Sequence, residues 1–249
     1  MFLHTGKVEE NFPEEDAAIK KFNKESKPFL TLSRLLYTDT VLPQTLKRNC
    51  QMFVKRAIDV VCTSLALICL SPILLAIAII VKYSDPKGPI IFKQIRVGQH
   101  GKTFTMYKFR SMYMDAEERK KELEHLNETS GPTFKMKNDP RIYPMGRILR
   151  KFSLDELPQL FNILKGDMSI VGPRPPIPAE TATYTSWHNM RLAVKPGLTC
   201  IWQVSGRSNI SFEDWMRLDN QYIQNNSIKN DIILIAKTFK VVFKGEGAY

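Results

Sequence analysis

No stretch of this 249-residue sequence spells G-x-x-x-x-G-K-[ST], and no G-x-G-x-x-G follows a strand pattern. Phosphate-loop nucleotide hydrolysis and dinucleotide binding therefore lack their signatures. Cysteine is scarce. Cys50, Cys62, Cys69 and Cys200 show no C-x-x-C spacing, which predicts reduced, mostly buried thiols and a catalytic part facing a reducing cytoplasm. The four histidines, His4, His100, His125 and His188, are scattered without the spacing of a zinc site and are expected at surface or loop positions. Neither an H-x-E with C-x-x-C pattern nor a G-x-S-x-G elbow is present. The start is polar and mixed in charge, so no secretory signal is expected, and no internal repeat is visible.

What is present is positive charge and one long apolar run. Lys and Arg outnumber Asp and Glu by 36 to 25, and the excess is spread along the chain after residue 45. That balance suits nucleic acid, an anionic membrane surface or a phosphorylated substrate equally. Residues 57–81 are apolar apart from Asp59 and small hydroxyl residues, long enough to cross a bilayer. Pro72 interrupts the run, and Ser71 beside it can hydrogen-bond a carbonyl one turn back. The halves, about 14 and 9 residues, are each too short to span. Basic flanks on both sides, Lys55 and Arg56 before, Lys82 and Lys87 after, favour neither orientation. Two readings fit: a re-entrant helix-break-helix with both ends in the cytoplasm, and a kinked transmembrane helix.

Beyond the run, "IIFKQIRV", "GQHGKT" and "FTMYKFRSM" read as a hairpin, with Phe104, Met106, Lys108 and Arg110 on one face by period two. "DAEERKKELEHLNE" reads as a polar surface helix, and "PMGRILRKF" and "SLDELPQLFNILKG" as two short helices, the second ending at Gly166. "SIVGPRPPIP" is an extended proline-rich loop and "VKPGLTCIWQVSGRSN" a second loop or strand segment. "SFEDWMRLDNQYIQ" is a helix capped by Ser211, with Trp215, Leu218 and Tyr222 on one face. "DIILIAKTFKVVFKG" places Ile232, Ile235, Ala236, Phe239 and Phe243 at helical spacing, in a core helix or one lying on a membrane interface.

The chemistry centres on "SLDELPQL". Ser153 and Glu156 have the spacing of a capping box, in which the acids merely start a helix. The alternative is a working carboxylate pair. Adjacent residues on a helical turn point about 100° apart, so Asp155 and Glu156 cannot act symmetrically on one atom. Two such charges about 5 Å apart repel by roughly 3 kcal/mol at an effective dielectric near 20, so both stay ionised only beside positive charge. Candidates are Arg150 and Lys151 before the acids, Arg174 held between prolines, Lys108 and Arg110 on the hairpin, and Arg207 in "SGR". A phosphate-handling site with a divalent cation accounts for this assortment.

In order, "KRAIDVV…LSPILL", "GPIIFKQIRVGQHGKTFTMYKFRSM", "KNDPRI", "LRKFSLDELPQLFNILKGDMSIVGPRP" and "KPGLT…WQVSGRS" resemble the bacterial polyprenyl-phosphate sugar-phosphate transferases, the monotopic phosphoglycosyl transferases. The resemblance covers about residues 52–249. It implies an α+β, mostly helical fold: a soluble extension over residues 1–50, a re-entrant membrane helix broken at Ser71 and Pro72 over 51–82, and a cytoplasmic catalytic domain over 83–249 with a β-hairpin and interfacial amphipathic helices. Its place is the cytoplasmic face of the bacterial inner membrane. The implied reaction moves a sugar 1-phosphate from a UDP-sugar to undecaprenyl phosphate with Mg²⁺, releasing UMP. Asp155 is the implied nucleophile and Glu156 the metal-side carboxylate. Lys108, Arg110, Arg150 and Arg174 are the implied phosphate contacts, and Lys195, Pro196, Gly197, Gln203 and Arg207 the nucleotide or sugar loop.

The implied partners are the two substrates and membrane lipids, without nucleic acid; a homodimer is compatible but not demanded. "WQVSGRS" and the "GAY" end are more similar to hexose transferases, for glucose or galactose, than to those for N-acetylhexosamines. Two positions depart from the family pattern: Cys200 stands where relatives usually have glycine, and Tyr143 where many have threonine. A glycine at the first would permit close backbone approach, so Cys200 puts the local geometry in question. The competing reading, from another class, is a membrane-anchored adaptor with a basic binding face whose acids only cap a helix.

Overall fold

The apolar run lies within a single long helix in the computed structural model, which describes residues 45–128, 133, 134, 136–206 and 210–244. The expected extension over residues 1–50 falls almost entirely outside them. Helix α1, Thr45–Ser84, is 40 residues long and helical at every position, Pro72 included. Helical conformation therefore continues through Ser71 and Pro72, the positions of the expected break. Proline removes one N–H, and the carbonyl it would have served, Ile68 O, accepts from Ser71 Oγ at 2.8 Å instead.

One stripe of α1 meets the rest of the chain. Ile77 and Val81 pack with Phe109 and Leu149, while Ala66, Leu67 and Leu70 lie on Met106, Leu160, Ile163 and Met168. These positions recur at helical spacing, so Val61, Leu65, Ile68 and Leu75 are left exposed on other faces. Among the described residues, α1 is the one helix long and apolar enough to cross a membrane. Cys50, Cys62 and Cys69 are also exposed on it, and only Cys200 is buried. The expectation of mostly buried thiols is corrected, because a helix that packs along one stripe buries only what that stripe carries.

Both ends of α1 are fastened to the same body. Near the start, Lys55 pairs with Asp231, Arg56 donates to Ile163 O and Leu164 O at 2.6 and 2.8 Å, and Asp59 Oδ1 accepts from Ile170 N–H at 3.0 Å. Just past the far end, Asp85 pairs with Arg110, whose Nε also donates to Pro89 O at 2.7 Å.

Strands β1 (Ile91–Val97) and β2 (Thr103–Phe109) form the expected antiparallel hairpin, with Phe92 opposite Lys108 and Arg96 opposite Phe104. Helix α2 (Ala116–Leu123) follows, then α3 (Pro144–Lys151), a 3₁₀ turn over Leu154–Glu156, and α4 (Gln159–Lys165). Gly166, at φ 90°, ends α4 as read from the sequence. The proline-rich segment begins with a strand that its loop reading did not expect, and the second segment carries a strand as its loop-or-strand reading allowed. Strand β3 (Ser169–Val171) pairs in parallel with β4 (Gly197–Thr199). Short helices α5 (Pro178–Thr181) and α6 (Ser186–Asn189) lie between them, followed by a 3₁₀ turn over Met190–Ala193, and α7 (Ile201–Ser205) follows β4.

Helix α8 (Phe212–Gln224) starts at its predicted cap, Ser211 Oγ accepting from Asp214 N–H at 3.2 Å. Trp215, Met216, Trp202, Phe212 and Cys200 make one core cluster. His188 is buried here, its Nδ1 accepting from Thr185 N–H at 3.2 Å, and not at the surface as expected. Helix α9 (Ile228–Lys244) buries Leu234 against Val171 and Tyr222 but exposes Ile232, Phe239 and Phe243.

The parallel pairing depends on two glycines in contact. A Cβ on Gly197 would stand 2.0 Å from Gly172 N, and one on Gly172 would stand 2.4 Å from Lys195 O. Because the obstacles are backbone atoms, no rotamer relieves them. Gly197→Ala is expected to lower unfolding stability by about 3 kcal/mol, read as a fall in the thermal midpoint of the detergent-solubilised chain.

Candidate active site

The turn that carries the acids is built from its leucines. Helix α3 stops at Phe152, and Ser153 takes a left-handed conformation, φ 53° and ψ 24°, that reverses the chain. Leu154 and Leu157 then pack into the cluster of Ile77, Val81, Phe109 and Leu149. With those two anchored on α1, Asp155 and Glu156 line the cavity. The capping box is absent: Ser153 offers no side-chain cap, and Glu156 N–H donates to Ser153 backbone O at 3.2 Å. A left-handed residue aims its hydroxyl away from the turn it should cap, and Glu156 is drawn elsewhere.

Lys108 Nζ donates to Glu156 Oε1 at 2.8 Å, and Arg174 Nη1 approaches the same oxygen at 3.4 Å. Asp155 is 7 % exposed, and its side chain makes no hydrogen bond among the described residues. The pair therefore divides. Burial, with Glu156 adding to it, pushes the Asp155 carboxyl up to about 6 against the pull of Lys108. Burial acts the same way on Glu156, but Lys108 and Arg174 overcome it and hold that carboxyl down at about 2. Burial lowers the pKa of Lys108, and Glu156 opposes the shift. One acid is locked in an ion pair and the other is held close to its titration point.

These groups line one cavity of about 1490 Å³, whose walls include Arg96, Lys108, Arg150, Asp155, Glu156 and Arg174. Arg150 forms no hydrogen bond or ion pair among the described residues, yet its charge acts on Asp155. The structure gives Arg110 other work. It lies just past the end of β2, is 4 % exposed, and spends donors on Asp85 and Pro89. It ties α1 to the hairpin, and it lines the same cavity as Lys108. Lys195, Pro196 and Gly197 do not line the cavity; they support it, Pro196 O accepting from Ser169 N–H at 2.8 Å and Gly197 N–H donating to Pro173 O at 2.9 Å. Gln203 does line it, and its Oε1 accepts from Cys200 Sγ at 3.1 Å. Arg207 lies outside the described residues.

The two departures are absorbed by the core. Cys200 is extended, φ −150° and ψ 172°, a conformation open to any residue, and its side chain fills the tryptophan cluster. Tyr143 is 1 % exposed; its hydroxyl donates to Arg110 O, and its ring meets that of Tyr113 edge-on at 5.9 Å. Sequence reasoning missed Arg96. Burial, together with the nearby Arg174, lowers its pKa to about 10, and its Nη1 donates to Pro175 O at 2.9 Å. Period two on β1 was the available signal. In the observed register, Arg96 projects from the same hairpin face as Lys108.

No group of three or more His, Cys, Asp or Glu side chains among the described residues could cage a metal ion. The two neighbouring carboxylates nevertheless fit Mg²⁺ delivered with a diphosphate, since that ion usually takes one or two protein carboxylates plus phosphate oxygens and water. Glu156 Oε2 makes no hydrogen bond among the described residues, which leaves it available for that use.

The profile of the bacterial sugar transferase family matches residues 50–245. The undecaprenyl-phosphate galactose phosphotransferase of Salmonella typhimurium is 44% identical over 212 residues, 84% of this chain and 44% of the relative. The galactosyl transferase CpsE of Streptococcus agalactiae is 49% identical over 176 residues, 70% of this chain and 39% of the relative. The exopolysaccharide production protein ExoY of Rhizobium meliloti is 41% identical over 199 residues, 78% of this chain and 88% of the relative. The chain thus spans less than half the length of the first two.

The division between the acids can be measured directly. Carbon-13 titration of labelled Asp155 is expected to give a midpoint of about 6. Lys108→Met removes the cation that pulls it down and raises the midpoint, whereas Glu156→Gln removes a like charge and lowers it.

Proposed function

The chain belongs to the bacterial sugar transferase family, and we propose that this site transfers a sugar 1-phosphate from a UDP-sugar to undecaprenyl phosphate, releasing UMP. The observation that carries this reading is the unequal acid pair. Asp155 is buried on the cavity wall without a hydrogen-bond partner among the described residues, while its neighbour is ion-paired to Lys108 and Arg174. A carboxylate near pKa 6 is mostly ionised at neutral pH and is not masked by a cation. Those are the requirements of an oxygen nucleophile.

In the proposed first step an Asp155 carboxylate oxygen attacks the phosphorus that bears the sugar. The bond from that phosphorus to UMP breaks, UMP departs with its electron pair, and an aspartyl phosphosugar remains. A phosphate oxygen of the carrier then attacks the same phosphorus, the bond to Asp155 breaks, and the carboxylate is restored. Lys108 and Arg174 keep donors in reserve beyond those given to Glu156, and Arg150, unpaired among the described residues, faces the same cavity. On this reading they hold the phosphate oxygens. Glu156, with Asp155 beside it, would hold Mg²⁺, which when bound neutralises the diphosphate and stabilises the departing phosphate. Burial of Asp155 limits water that would hydrolyse the intermediate. Two of the three relatives described are named for galactose, which supports a hexose donor, and ExoY is named for exopolysaccharide production, which supports a role in starting a surface polysaccharide.

The same reading places the chain on the cytoplasmic face of the inner membrane. Fastenings at both ends of α1 to one body support a helix that enters and leaves on one side, since a span would carry one end about 30 Å away. The exposed Ile232, Phe239 and Phe243 of α9 suit the same surface.

Incubation of the protein with Mg²⁺ and UDP-galactose or UDP-glucose, without lipid, is expected to give a sugar-phosphate adduct by intact-mass spectrometry. Asp155→Asn abolishes the adduct and lowers turnover by about 10⁴-fold or more; unchanged turnover would return the acids to a structural role in an adaptor. Because burial raises Asp155 from 3.8 to about 6, its contribution to stability is present below pH 3.8 and lost as pH rises through about 6. The neutral Asn therefore leaves the thermal midpoint at pH 7 undiminished. Adduct formation in the wild type falls as pH drops through about 6, where the nucleophile takes up its proton.

A further inference from the structure

Residues 173–176 read Pro-Arg-Pro-Pro. Proline has no N–H, so this segment can be fastened almost only through its carbonyls, and all four are engaged. Pro173 O accepts from Gly197 N–H at 2.9 Å, Arg174 O from Arg191 Nη2 at 2.7 Å, Pro175 O from Arg96 Nη1 at 2.9 Å and Pro176 O from Val97 N–H at 2.9 Å. The fastening at Arg174 itself comes from a side chain, and that side chain is unusual. Arg191 is 2 % exposed and ion-paired with Asp219 at 2.7 Å, both side chains only 1 % exposed. Its Nη1 donates to Tyr184 OH at 3.1 Å, and its guanidinium lies 5.3 Å from the Trp215 ring centre.

Neither Arg191 nor Asp219 lines the cavity. A buried ion pair is a poor device for stability alone, because apolar residues of similar volume do as well or better. Here a single nitrogen, Nη2, meets the Asp219 carboxylate and also ends on the backbone of the residue that reaches Glu156, while Nη1 holds Tyr184 OH. A planar guanidinium held at both of its terminal nitrogens has a set direction.

We propose that Arg191, oriented by Asp219, is a positioning residue for Arg174. It sets where the Arg174 guanidinium stands relative to Glu156 and to the diphosphate of the donor; the identity of that ligand rests on the function proposed above. Loss of Arg191 leaves Arg174 in the chain but lets its carbonyl, and with it the root of its side chain, shift. Donor binding then weakens through Arg174 and not independently of it.

The test is a double-mutant cycle on the full chain in detergent, with UDP-galactose and UDP-glucose as donors. Arg191→Lys keeps the charge beside Asp219 but loses the planar guanidinium that Tyr184 OH and Arg174 O fix at its two terminal nitrogens. It is expected to raise the KM for donor about tenfold, and Asp219→Asn moves KM the same way by less. In an Arg174→Ala background, Arg191→Lys changes kcat/KM by less than about twofold, since the group it positions is gone. A merely structural role would instead reduce the active fraction, lowering kcat at constant KM. The proposal is overturned if KM stays at the wild-type value in both single variants, or if Arg191→Lys costs the same factor with and without Arg174. Should Arg191→Lys not fold, the conservative Asp219→Asn carries the cycle alone. A wild type that transfers from no UDP-sugar overturns the proposed function, and UMP titration calorimetry across the same variants then decides the coupling by itself.

Discussion

Two carboxylates on neighbouring residues stay together on the wall of one cavity because Lys108 and Arg174 converge on one of them. Side by side and unpaired, they would repel by roughly 3 kcal/mol, and burial would protonate both. With Glu156 neutralised by two cations, the remaining site tolerates a single further charge on Asp155. Each of the three participants comes from a different part of the chain: Lys108 from β2, the acids from the turn after α3, and Arg174 from the loop after β3. The hairpin, the leucine-anchored turn and the parallel β3–β4 pair are the means by which these three meet.

The supporting parts have the same logic. Prolines keep the Arg174 loop extended and leave it dependent on outside donors, which β1, β4 and Arg191 supply. Gly172 and Gly197 let two backbones touch so that β4 reaches that loop. Arg110 closes the junction between α1 and the hairpin, and Tyr143 holds the carbonyl of Arg110 in turn. Residues that look like ligands in a one-dimensional reading, the Lys195-Pro196-Gly197 run above all, thus act one layer behind the cavity.

Elements set by local pattern were legible in the sequence. The hairpin announced itself by turn residues between two apolar runs, α8 by its serine cap, α4 by the glycine at its end, and α1 by composition. The acids and the cations Lys108, Arg150 and Arg174 were legible as candidates because carboxylates and arginines near prolines are conspicuous. What failed depended on distant partners. Ser153 and Glu156 have the spacing of a capping box, but Lys108, 48 residues upstream, competes for the same side chain and wins. Arg110 lines the cavity with Lys108, as the periodicity suggested, but its ion pair with Asp85, 25 residues upstream, was not legible from that pattern. Arg96 escaped notice because its role depends on cross-strand register, and at Pro72 the neighbouring serine serves the carbonyl that the proline cannot.

Helix α1 is also a mechanical element. It grips the acid-bearing side through Arg56 on the end of α4 and the Arg174 side through Asp59 on β3. Arg56 and Asp59 are three residues apart, on one turn of the helix. Any displacement of that turn is passed to both sides of the cavity together, so nucleophile and phosphate clamp shift as a unit and keep their separation.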